Sequence, residues 1–374
     1  MGGSRGGRKG DIWPSEHHSF RDRRTGARIH RVTGHDSISH PTYFLQCSFS
    51  LDQSRLLFTG YRTGTAQLYD AEFPDGPIRQ LTDGDPVHPF SPLIAPDGAV
   101  LFVRGGAVWR LEPEGLGESL IADGGGQLGE CSLSPCGEWF VAACKRPSGW
   151  GLLVGTLDGS RTRFLDFPRT VIHPQFNPVS SDWIEFAADP APRMHRVRRD
   201  GSGLECLYLH GDDEFVVHET FLGKSEDLVF SVWPVALRRL HWRTRRISTI
   251  SEFNAWHITP DRAGGRVLCD TVHPDIGLQL VDVATGGRTT VCQSLASSQG
   301  TQWRKSRYAL AEDWERARRA QDRNRSLSWM EMAGDTVYGP QWTHPHPSFS
   351  RDESMVVFAS DRSGCTQVYV AEIP

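Results

Sequence analysis

An all-β, seven-bladed β-propeller is the fold this sequence predicts, on three observations: a unit that recurs about every 40 to 45 residues, strict alternation of apolar and polar positions inside each unit, and turn residues between the alternating runs. Each unit opens with a turn of the Ser-x-Asp-Gly kind and continues with an apolar strand, a loop, a second alternating strand, another turn and a final strand. The clearest copy reads FSLDQSRLLFTG, then TAQLYDAEFPDG (65–76) and PIRQLTDG (77–84). Further units open at IAPDGAVLFVRG (94–105), LSPCGEWFVAAC (133–144), FNPVSSDWIEFA (176–187), FLGKSEDLVFSV (221–232), ITPDRAGGRVLC (258–269) and FSRDESMVVFAS (349–360). Runs such as QLYDAE, VWRLEP and QVYVAE are period-2 patterns of half-buried antiparallel strands, not helices.

The seventh unit stops after QVYVAEIP without a final strand, while ARIHRVTG (27–34) near the other end of the sequence resembles the final strands of other units. The N-terminal strand is therefore expected to close the last blade, pairing an edge that would otherwise invite aggregation. The predicted organisation is a polar extension over 1–26, loose apart from the apolar pair Ile12 and Trp13, followed by one propeller domain over 27–374. That domain carries an insertion at about 296–340, where RYALAEDWERARRAQDRNR has a helical and heavily charged composition. A solvated surface helix and a lid over the ring are both open readings of it.

With 38 Gly, 23 Pro and 12 Trp, the composition suits many short elements joined by turns. A net charge of -4 offers no global attraction to nucleic acid or to an anionic membrane, so an acidic ligand must be held by local cations. The eight cysteines contain no CxxC pair and are expected to be free thiols. The first 19 residues are Gly-rich and basic without an apolar core, and no apolar run is long enough to span a bilayer, so a cytoplasmic protein is expected.

Of the 15 histidines, seven precede the opening turn of a unit by a short interval: His40, His88, His173, His218, His257, His344 and His346. The first strand of a propeller blade lines the channel, so a repeated offset in sequence becomes a ring at one mouth. His88 is the one most easily read as structural. The densest point is Gln341-Trp-Thr-His344-Pro-His346-Pro, where His344 and His346 would share one face of an extended strand. Two imidazoles and an amide, with His257 of the preceding unit as a further ligand, suit a borderline divalent ion such as manganese, iron, nickel or zinc. No HExxH, Cys cluster or EF-hand loop competes for that role.

QWTHPHPSFSRDESMVVFASDRSGCTQVYVAEIP (341–374) and YFLQCSFSLDQSRLLFTG (43–60) resemble the oligogalacturonide lyases, cytoplasmic seven-bladed propeller enzymes of pectin breakdown, and the resemblance extends more thinly round the ring. It implies a divalent metal, manganese by preference, on Gln341, His344, His346 and His257. It also implies His218 as the catalytic base, Arg193 beside the reacting uronate, and His40, Tyr43, Gln46 and His173 as substrate-binding positions. The chain departs from the family at HETFLGKSED, where an aromatic residue and a Pro-Asp-Gly turn are usual, and in the charged insertion.

The implied chemistry is β-elimination from a 4-linked uronide, with an oligouronide as the partner. The C5 proton is weakly acidic because the adjacent carboxylate resists further charge, so a metal and an arginine on that carboxylate are what make its removal accessible. A neutral imidazole is a suitable base near pH 7. Propeller hydrolases use paired carboxylates instead, and histidines, not Asp or Glu, stand out at the unit openings. Two alternatives remain open: the same chemistry on another uronide, and a non-catalytic binding ring of the TolB-like or WD-repeat kind.

Overall fold

Seven antiparallel sheets follow one another along the chain in a computed structural model that describes residues 7–189, 191–211, 213–298 and 341–373. Their innermost strands are Ser39–Pro41 (blade 1), Leu93–Ile94 (blade 2), Gln127–Leu133 (blade 3), Thr170–Asn177 (blade 4), Val216–Phe221 (blade 5), Ala255–Pro260 (blade 6) and Ser348–Phe349 (blade 7). Each blade runs outward from its inner strand through neighbours in chain order, so almost every pairing is a short antiparallel hairpin.

Apolar side chains on the two faces of each blade make seven shared cores, one at every joint of the ring. Val141, Leu152 and Val154 of blade 3 pack on Val171, Ile184 and Phe186 of blade 4. Val357, Val368 and Val370 of blade 7 pack on Phe49, Phe58 and Tyr69 of blade 1, so the ring is closed. This is why the outer strands alternate and the middle ones read as continuous apolar runs: the middle strands are buried on both faces.

The last blade is completed as the sequence predicts. Arg28–Arg31 pairs with Gln367–Glu372, in the register Ile29 with Ala371 and Arg31 with Tyr369. Beyond it, His18–Arg21 adds a fifth strand, and Ile12–Trp13 adds one to the outer edge of blade 1. Two short stretches of the segment read as a loose extension are thus sheet, with Arg62 held against Trp13 and Tyr69 and paired with Glu16. The predicted helix falls on residues 299–340, outside the described residues. No described helix is long and apolar enough to cross a membrane. All eight cysteines are free.

The inner strands of blades 3 to 6 share one irregularity. In each, two residues oppose a single residue of the next strand: Gly129 and Glu130 face Ala143, His173 and Pro174 face Phe186, His218 and Glu219 face Phe230, Trp256 and His257 face Asp270. Such a bulge breaks the alternation and re-aims a side chain, here toward the axis of the ring.

Candidate active site

Three of the bulges carry predicted histidines, His173, His218 and His257, and these meet His344 and His346 of blade 7 in the channel. His173 and His218 take φ of 52° and 56°, and His346 takes 45°, in the left-handed region that a residue with a Cβ seldom occupies. Backbone strain of this kind persists where the surrounding packing enforces it, and it concentrates at functional sites. The ring centre of His257 lies 4.0 Å from that of His346, 5.4 Å from His344 and 4.3 Å from His218. His173 lies 6.3 Å beyond His218.

His344 and His346 come together differently from the expected extended strand. They follow a short 3-10 turn, Gln341–Thr343, and precede the inner strand of blade 7, with their rings nearly parallel at 5.9 Å. The positive φ of His346, not strand alternation, brings the second ring alongside the first. The carbonyl of Pro345 accepts from the Ala359 N–H, so the proline-rich stretch is still anchored to its blade.

These residues suit a metal in the chemistry of their free atoms. The Nδ1 of His257 is 2.7 Å from one Asp270 carboxylate oxygen, and the other oxygen accepts the His257 backbone N–H; opposite a carboxylate the ring proton sits on Nδ1 and Nε2 is left as a lone pair. That Nε2 and the Nε2 of His346 are buried without a hydrogen-bond partner. The indole N–H of Trp256 donates to Nδ1 of His344, which orients the ring. Gln341 is buried at the head of the same segment. Among the described residues no three His, Cys, Asp or Glu side chains stand in finished ligand geometry, so the imidazoles are gathered but not drawn to one point. Burial, with neighbouring imidazoles and Arg193, holds His218 well below the usual histidine range, and burial does the same for His257 and His346.

Arg193, the position that the family resemblance implies beside the uronate, is buried. Its guanidinium donates to Glu219 at 3.0 Å and Asp189 at 2.8 Å, and lies 3.4 Å from Nδ1 of His173. Its neighbours in the basic run RMHRVRR differ: Arg196 and Arg198 lie over Trp183, and Arg199 lies over Trp139. Nε2 of His173 meets the Tyr43 hydroxyl at 2.9 Å. His40 stacks on Phe90 at 4.7 Å, its Nδ1 donating to the Pro41 carbonyl. His88 is tied into the blade 2 loop, its backbone N–H donating to Val103 and its carbonyl accepting from Ser91.

Between the first inner strand and Phe49, the chain dips into the channel. Phe44 is fully buried there among His173, His218, His257 and His346. The Thr259 hydroxyl on blade 6 reaches the Phe44 carbonyl, and the Gln46 amide donates to Cys131 of blade 3. Gln46 is thereby set apart from the histidines: it lines a cavity of about 360 Å³ with Lys224, Arg262 and Arg351, at the turns that end the inner strands.

Sequence reasoning missed Phe44 and four buried carboxylates, Glu130, Glu185, Glu219 and Asp270. Glu130 and Glu219 occupy the same bulge slot that His257 occupies in blade 6. The expectation of a channel lined by histidine without Asp or Glu is corrected by them. Their signal was present as a Glu directly after Gly129 and His218, but only the bulge turns it inward.

The family model for oligogalacturonate lyase matches residues 8–123. The chain is 23% identical to an oligogalacturonate lyase of Dickeya dadantii (strain 3937), with 96% of each covered, and 21% identical to an oligogalacturonide lyase of Pectobacterium atrosepticum, with 98% of each covered. A solved oligogalacturonate lyase in complex with manganese superposes with a TM-score of 0.80 at 20% identity, over 98% of this chain and 99% of the other. One from Vibrio parahaemolyticus gives 0.79 at 20% identity and the same coverage. These likenesses agree with the motif over 341–374: in sequence and in fold, from end to end, the chain resembles the oligogalacturonate lyase family.

Proposed function

We propose that the chain is a metal-dependent lyase that cleaves short oligogalacturonides by β-elimination, giving unsaturated or deoxy-keto monouronates. The observation that carries this reading is a neutral, buried His218 standing between two kinds of carboxylate-binding group. On one side are His257, His344 and His346; on the other is Arg193. A divalent ion held by these three imidazoles and Gln341 would supply positive charge against the substrate carboxylate, and manganese is the ion we assign. A solved relative in complex with manganese supports that choice.

His218 takes the C5 proton. Its Nδ1 is buried without a partner and its proton affinity is kept low, so the ring is in the accepting form at neutral pH. Arg193, fixed by Glu219 and Asp189, presents a charge that needs no rearrangement as negative charge develops on the substrate. His40, Tyr43 and His173 line the sugar on the blade 1 and blade 4 side. Gln46 contributes by holding the channel loop to blade 3. Eight free cysteines accord with a reducing, cytoplasmic setting.

Incubation with unsaturated digalacturonate and manganese is expected to yield a deoxy-keto monouronate, and chelation to stop it. The variant His218→Ala is expected to lose about 10²–10⁴-fold in turnover with metal content unchanged. Product from other uronides alone would move the substrate; no product from any uronide would leave a binding ring.

A further inference from the structure

We infer that Glu130 reads the hydroxyl edge of the bound sugar and so decides which way round a uronide enters the channel. The inference rests on the lyase reading for its substrate class and on separate observations for the residue. Glu130 is 3% exposed, and neither carboxylate oxygen has a hydrogen-bond partner. The other buried acids of the channel are provided for: Glu219 and Asp189 by Arg193, Asp270 by His257, and one oxygen of Glu185 by the Gln175 amide at 3.5 Å. Among the described residues Glu130 is the buried carboxylate with both oxygens left over.

Its placement points the same way. Glu130 lies in the bulge of blade 3, opposite Ala143, as His257 lies in that of blade 6, opposite Asp270. The next residue, Cys131, accepts the Gln46 amide, which fastens the channel loop beside Glu130. Tyr43 on that loop feels the Glu130 charge, which together with burial pushes its phenol up. Glu130 is thus near the channel loop that carries Tyr43 and Gln46, in the bulge slot that turns His257 inward in blade 6.

The chemistry narrows the ligand. A carboxylate accepts at both oxygens and donates at neither, so it calls for two donors on one molecule, as neighbouring sugar hydroxyls provide. It also repels a uronate carboxylate. Arg193 attracts the acid edge of the sugar while Glu130 rejects it and accepts the hydroxyl edge. One orientation satisfies both, an attractive and a repulsive element acting together.

The test compares wild type, Glu130→Gln and Glu130→Leu by thermal midpoint, by kinetics on digalacturonate and by the thermal shift that saturated digalacturonate induces. Both variants are expected to keep or raise the midpoint, since an unpaired buried charge is removed, while KM rises at least tenfold. A substrate methylated on its 2- or 3-hydroxyl should lose a similar factor on wild type and little more on Glu130→Leu. A KM within twofold of wild type, or additive losses for methylation and substitution, overturns the inference. If wild type makes no product from any uronide, the lyase reading falls, and the ligand-induced shift decides for Glu130: a shift seen in wild type and lost in both variants upholds it. A shift kept in the variants, or absent in wild type, overturns it. Should Glu130→Leu not fold, the isosteric Glu130→Gln gives the same readings.

Discussion

The two sides of the chamber use opposite electrostatic strategies. On the side of blades 6, 7 and 1, the groups are imidazoles kept neutral by burial, with lone pairs left available. On the side of blades 4 and 5, the group is a permanent cation clamped by two carboxylates; the Arg193 charge beside Glu219 holds that acid well below the usual carboxylate range. His218 stands at the seam, against His257 on one side and His173 on the other. Availability requires that nothing in the protein satisfy the nitrogen, whereas constancy requires that everything around the guanidinium be satisfied. A proton acceptor and a fixed charge can thus be neighbours without one titrating the other.

The largest effect is expected from removing the clamped cation. Arg193→Met leaves Glu219 and Asp189 facing each other in the interior, a loss of about 3–5 kcal/mol of stability together with turnover. Chemical denaturation measures it, and an unchanged midpoint would mean that the cluster is not coupled as described. Acid separates the two sides next. Burial depresses His40 to about 4 from an ordinary 6.5, so the unfolded chain takes up the proton first. The stability His40 contributes is complete above about pH 6.5 and is lost as pH falls through about 4, amounting to about 3 kcal/mol. His218 shifts in the same direction. In chelator between pH 7 and 4.5 the difference between wild type and His40→Phe is expected to read this share, because the other depressed histidines and the Asp270 carboxyl, raised by burial to about 7 and acting in the opposite sense, are common to both proteins. The smallest effect concerns the proposed metal ligands alone. Asp270→Asn is expected to weaken metal binding about 10–100-fold while the fold persists, read by titration with manganese.

What the sequence revealed depended on whether local pattern and tertiary outcome agreed. The blades were legible because strands buried on one or both faces leave regular apolar patterns, and the closing strand because ARIHRVTG repeats the form of PIRQLTDG. The histidines were legible as a repeated offset. Glu130 and Glu219 were not, since alternation is the basis for assigning a face and a bulge suspends alternation at the functional positions. Asp270 sits in a second strand and reaches the site only by opposing the bulge at His257. Phe44 was hidden for another reason: its segment leaves blade 1 altogether and meets blades 3 and 6 through single hydrogen bonds that carry no local signature.

Ring closure has a consequence for the order in which this protein becomes competent. Arg28–Arg31 emerges early from the ribosome but acquires its partner only when Gln367–Glu372 has been made. His344 and His346 belong to that same late stretch. A nascent chain therefore carries Arg193 and His218 long before it carries the imidazoles opposite them, and it cannot hold the complete set until its two ends have met. Closure of the circle and the gathering of these side chains are thus tied to the same late stretch of chain.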